Sequence, residues 1–172
     1  MSGIPLFGSP QDFTHLLVPK SGFDGMHDLQ FKAPLEPGEV FFRGALVSIN
    51  AAGNVIAGLG AVDAGAMPLW AINASNDLDV TSDAGNISGG VVAMYPATGG
   101  YELVTTEFES TGTYVPNTPL VPDVATPGFV VDGTIPIVAA ESVVGVVSLG
   151  VTTEVYGQSA LQFWPVYLPA RA

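Results

Sequence analysis

From residue 40 onward the chain repeats one texture, short runs of apolar and β-branched residues broken by clusters of Gly, Asn, Asp and Pro. "VFFRGALVSI" (40–49) and "NVIAGLGAV" (54–62) flank the Gly- and Asn-bearing stretch 50–54, a connection of hairpin type. "MPLWAI" (67–72), "LDVTS" (78–82), "ISGGVVAMY" (87–95) and "YELVTTEF" (101–108) follow, separated by 73–77, 83–86 and 96–100, each rich in turn residues. The last third, "GFVVDGTIPIVA" (128–139), "SVVGVVSLGVTTEVYG" (142–157) and "ALQFWPVYLP" (160–169), returns to the same texture. No stretch sustains the 3.6-residue period of a helix. The pattern predicts an all-β fold, an antiparallel β-sandwich or β-barrel, occupying residues 40–172.

Two segments depart from it. Residues 1–39 show neither period and scatter Ile4, Leu6, Phe7, Phe13, Leu16, Leu17, Phe23, Leu29 and Phe31 among Gly, Pro and Asp. Disordered chains are poor in aromatics, so this segment reads as an ordered, extended N-terminal arm. "GTYVPNTPLVPDVATPG" (112–128) holds four prolines. Each lacks a ladder donor and fixes φ, so the stretch reads as a long loop through which no central strand passes. Tyr114, Val115, Leu120 and Val121 would give such a loop apolar contacts.

The chain closes on "LQFWPVYLPARA", where Phe163, Trp164, Val166, Tyr167 and Leu168 are stiffened by Pro165 and Pro169. Chain ends are usually polar and frayed. Two readings stand side by side: a preorganised strip, anchored by Trp164 and Tyr167, that packs on a partner, or an ordinary last strand of the chain's own core.

Composition narrows the function classes. Hydrophobic residues make up 48% of the 172 and charged residues 12%, with a mean hydropathy of +0.43, yet no uninterrupted apolar stretch is long enough to span a bilayer. The apolar surplus must lie inside the fold or against other subunits. Lys20, Lys32, Arg43 and Arg171 oppose 16 acidic residues for a net charge of −12, which excludes electrostatic attraction to nucleic acid. No Cys is present, so disulfides, thiolate metal sites and cysteine nucleophiles are out. Met1-Ser-Gly-Ile-Pro lacks the basic start and apolar core of a secretory signal, and the expectation is an unprocessed cytoplasmic product.

Catalytic chemistry is hard to assemble. His15 and His27 both fall in the arm, away from rigid strands, and no phosphate-cradling glycine motif is present. Asp77, Asp79 and Asp83, with Asn76 and Asn86, offer oxygen ligands to Ca²⁺, but the spacing lacks the glycine and bidentate Glu of a calcium loop, and solvated turns are the reading preferred. Glu102, Glu107 and Glu109 suggest a glycosidase pair only superficially, since Glu107 and Glu109 alternate with Phe108 as on a strand with one wet face. "VTTE" at 104–107 and 151–154 has poorly matching flanks and is no repeat. No cofactor and no metal site is expected.

In order along the chain, "GGYELVTTEF" (99–108), "YVPNTPL" (114–120), "VVGVVSLG" (143–150) and "FWPVYLPA" (163–170) resemble tailed-bacteriophage virion proteins of the capsid decoration, or cement, type. The resemblance implies a compact β fold that assembles as a trimer or other small homo-oligomer on the outer capsid surface. It implies the major capsid protein as partner, no catalysis, and no nucleic acid or membrane. Under it, the partner-binding residues are Ile4, Leu6, Phe7 and Phe13 of the arm, Tyr114 and Leu120 of the loop, and Phe163, Trp164, Tyr167 and Leu168 of the terminus. A tail, neck or fibre protein, or a carbohydrate-active module using Glu102, Glu107, Trp70 or the Asp77–Asp83 turn, are the alternatives.

Overall fold

The computed structural model describes residues 17–21, 31–59, 67–74, 86–87, 90–97, 100–134, 141–153 and 159–170. Among these there are thirteen strands and no helix: β1 (Leu17–Ser21), β2 (Phe31–Pro34), β3 (Phe41–Phe42), β4 (Leu46–Ile49), β5 (Val55–Ala57), β6 (Leu69–Ala74), β7 (Asn86–Ile87), β8 (Val91–Pro96), β9 (Glu102–Thr105), β10 (Pro119–Pro122), β11 (Val130–Asp132), β12 (Val143–Thr153) and β13 (Ser159–Leu168). They form a six-stranded antiparallel sheet in the order β1-β9-β13-β12-β10-β11, a five-stranded antiparallel sheet in the order β2-β8-β6-β4-β5, and a β3-β7 ribbon. The two large sheets pack as a β-sandwich.

Strand alternation explains why both faces of the five-stranded sheet are apolar. Leu46, Trp70 and Tyr95 point at the six-stranded sheet and share a core with Leu103, Leu120, Val144, Val147, Leu161 and Phe163. Their neighbours Val47, Leu69, Ala71, Val92 and Met94 point the other way, into a second core closed by Ala33, Phe41 and Val55. A sheet buried on both sides reads as continuous apolar runs, which is the character of "LWAI" and "VVAMY". Where the two sheets meet, the Trp70 and Phe163 rings lie 4.5 Å apart. Such a pair contributes about 0.5–1.5 kcal/mol beyond its area burial.

Each sheet also curls toward closure. A parallel bridge joins Leu35, just beyond β2, to Val55 on the far edge strand β5, and Glu36 N–H donates to the Val55 carbonyl at 3.0 Å. Likewise Phe108 bridges Val130 on β11, with Glu109 N–H on the Val130 carbonyl at 2.8 Å. These bonds occupy donors and acceptors that an open edge strand would leave free. The hairpin expected at 50–54 is present: Ile49 pairs with Val55, and the Asn50 side-chain oxygen accepts from the N–H groups of Ala52 and Asn54. Asn54 and Asn50 amides both donate to Glu36, which holds its carboxyl below the usual range.

Three expectations need correction. The predicted 40–49 strand is broken after Phe42, so β3 leaves for its own ribbon and β4 starts at Leu46. Within the expected arm, Leu17–Ser21 and Phe31–Pro34 are strands built into the two large sheets, paired with β9 and β8. The proline-rich stretch contains an interior strand, β10, between β12 and β11. Its prolines stand at the two ends, so Leu120 and Val121 keep their N–H groups. Pro119 still accepts, from Gly133 N–H at 2.8 Å. Proline removes a donor and never an acceptor, which is why the ladder survives.

Buried phenols give a measurable consequence. The Tyr101 hydroxyl donates to the Pro96 carbonyl and the Tyr114 hydroxyl to the Glu109 carbonyl. Burial raises both phenol pKa values, with the Tyr95 neighbour adding for Tyr101 and the Asp132, Glu109 and Asp123 carboxylates adding for Tyr114. Because the neutral form is the folded form, stability is complete below the unfolded phenol value of about 10 and falls as pH rises above it. Titration followed at 295 nm is expected to show Tyr101 and Tyr114 ionising only as the far-ultraviolet circular dichroism collapses. Tyr114→Phe should remove one of them and cost about 1 kcal/mol.

Candidate interaction face

The terminal aromatic block lies in the middle of the six-stranded sheet, not at a frayed end. β13 pairs with β9 on one side (Phe163 opposite Leu103) and β12 on the other (Trp164 opposite Val146), so its backbone is held from both edges. Alternation then divides its side chains. Phe163 is fully buried against Trp70, whereas Trp164 on the other face is 52% exposed, and Leu168 further along is 52% exposed as well. Tyr167 is half-buried. Trp164, Val146 and Pro119 form one row across three adjacent strands, in which Trp164 is exposed, Val146 half-buried and Pro119 buried. The row carries no charge.

Two glycines on β12 make this arrangement possible. A Cβ on Gly145 would sit 2.8 Å from a ring carbon of Phe163 and 3.2 Å from Leu120, so only glycine lets the Phe163 ring lie across the strand. Gly150 has φ +107, and a Cβ there would meet the Tyr114 carbonyl oxygen at 2.8 Å. Between Val147 and Gly150 the register with β13 shifts. The slip turns Leu149 to solvent, 61% exposed, where strict alternation from Val147 would have buried it.

The expected partner-binding residues therefore separate. Trp164 and Leu168 are on the surface. Tyr114, Leu120 and Phe163 are not: all three pack into the protein's own core, Leu120 and Phe163 with no exposed surface and Tyr114 with only a small part of its ring at the wall of a cleft. Tyr114 packs edge-on against Phe108 at 5.2 Å and Leu120 is fully buried in the interior strand β10. Ile4, Leu6, Phe7 and Phe13 lie outside the described residues, as do His15, His27, Asp77, Asp79 and Asp83. Reading the sequence missed Leu149 and Val151, 61% and 46% exposed. The available signal was Gly150 within an otherwise β-branched run, since glycine inside a strand marks a bulge.

Of the residues weighed for a carbohydrate site, the Asp77–Asp83 turn lies outside the described residues, Glu102 is half-buried on β9, and Trp70 and Glu107 are buried. Trp70 has no exposed surface, so its ring has no face to give a sugar. Glu107 is buried at 1% exposure, its carboxylate accepting from Thr106 Oγ1 at 3.0 Å, while Glu109 accepts from Thr111 beside it. Comparison with known protein families, characterised proteins and solved structures gives no match.

Proposed function

We propose that this chain is a non-enzymatic structural protein of a tailed-phage virion, a cement protein that binds the outer capsid surface and stabilises contacts between capsid subunits. It is made in the host cytoplasm and assembles with itself, a trimer being favoured, and with the major capsid protein. The observation that carries the reading is Trp164, a half-exposed indole on a central strand held between β9 and β12. Tryptophan is enriched among interface residues that dominate binding energy. A ring fixed by a central strand gives contact area with little ordering cost, and that cost is a large part of what association must overcome. The resemblance of the four ordered sequence blocks supports the same reading.

Immunogold labelling of source particles with antibody against the recombinant chain tests it. Regular label over the head supports a cement protein, label confined to the tail moves the protein to tail, neck or fibre, and unlabelled particles overturn the virion assignment. Trp164→Ser sharpens the test. Its circular dichroism should match the parent and its melting fall modestly, because about half of the indole is already in water, while binding to stripped heads weakens by about 30-fold, the counterpart of about 2 kcal/mol for a hot-spot residue.

A further inference from the structure

An open cleft of about 470 Å³ lies at one end of the six-stranded sheet. Phe108 and Tyr114, packed edge to face, line it together with Val151, while Ser110, Thr113 and Ser159 contribute hydroxyls. No charged side chain among the described residues lines it, and Val151 is 46% exposed. Such a wall suits an aromatic ring, which gains edge-to-face contacts there.

The register says which ring lies within reach. Val151 pairs with Leu161, Leu161 with Thr105, and Thr105 with Leu17, so one row crosses β12, β13, β9 and β1. Leu17 is the first residue of β1. The preceding chain thus enters the sheet beside Thr105, three residues before Phe108, and three strand spacings from Val151. Strands lie about 4.8 Å apart, so three spacings make about 14 Å. Four extended residues cover about 13–14 Å, and the residue four before Leu17 is Phe13. Residues 1–16 carry one acidic side chain, Asp12, and no lysine or arginine. In a chain of net charge −12, such a segment can approach the body with little repulsion.

We propose that this cleft is the docking site of the chain's own N-terminal segment, with Phe13 seated against Phe108 and Tyr114. Docking there would keep an aromatic side chain out of water in the single subunit. The inference does not depend on the virion assignment.

The chain has no cysteine, so single thiols can be placed cleanly in the full-length protein. Ser159→Cys puts one at the cleft and Val124→Cys puts a reference thiol on a side chain that is 94% exposed. With a bulky maleimide, the Ser159→Cys thiol is expected to react slowly. Adding Phe13→Ser should speed it on the order of tenfold, the shift that burial of one phenyl ring supports. The Val124→Cys rate should stay unchanged by Phe13→Ser, and the Ser159→Cys rate should not depend on protein concentration. Equal Ser159→Cys rates with and without Phe13→Ser would overturn the proposal. Protection that grows with protein concentration would overturn it too, by assigning the cleft to a second copy.

Discussion

A chain that stops before Leu161 will not fold. β13 stands between β9 and β12, so removing it opens two ladders at once in the middle of the six-stranded sheet. Leu161 and Phe163 go with it, both fully buried in the core shared by the two sheets. Replacing such residues singly by alanine costs about 2–5 kcal/mol for leucine and about 3–5 for phenylalanine. The sum is comparable to the whole stability of a domain, about 5–15 kcal/mol, before the lost strand pairing is counted. The truncated product is expected to lack the cooperative urea transition of the parent and to aggregate through the uncovered edges of β9 and β12. Phe163→Ala in the full chain is the milder version, expected to lower the urea midpoint strongly while leaving a detectable transition. A truncated chain that stays folded and monomeric would refute the core role of β13. Deleting the terminus therefore cannot separate interface from core. Substituting Trp164 can, because alternation places it on the opposite face from Phe163.

That alternation was half legible in the sequence. "LQFWPVYLP" announced an aromatic block with two roles open to it, and its period of two implied that Phe163 and Trp164 face opposite ways. Which of them is inward depends on the neighbours across the ladder, Leu103 and Val147 for Phe163, and long-range pairing leaves no local trace. The all-β class was readable because Val, Ile, Tyr and Phe runs between Gly and Asn turns are a local signal. β10 was not readable: "TPLVP" looks like a breaker, and only the acceptors on Pro119 and the donors on Leu120 and Val121 let it pair. β2 was equally silent, since of its four residues only Ala33 is buried. Tyr114 misled for a different reason. Its neighbours in sequence are exposed, and its burial comes from Phe108, six residues earlier, at a bend that no period announces.

Gly150→Ala carries the second large effect, and two separate costs set its size. At φ +107 any L-residue is strained, a cost of order 1–3 kcal/mol. The new methyl would also meet the Tyr114 carbonyl oxygen at 2.8 Å, and that atom is backbone, unable to swing aside as a side-chain tip could. Gly53 supplies the control, because its φ is +86 with nothing within 4 Å of an added Cβ. Gly53→Ala is expected to show the conformational cost alone, about 1–2 kcal/mol, and Gly150→Ala clearly more, each read from the urea midpoint at unchanged slope. If the two variants lose equal stability, the close approach of β12 to Tyr114 is not as described. The same bond of geometry ties stability to the surface: the register slip ending at Gly150 is what exposes Leu149, and Tyr114 is the ring that walls the cleft. Relieving the clash requires β12 and the Tyr114 backbone to move apart. Gly150→Ala should therefore disturb the cleft as it destabilises the fold, whereas Gly53→Ala should leave the cleft intact.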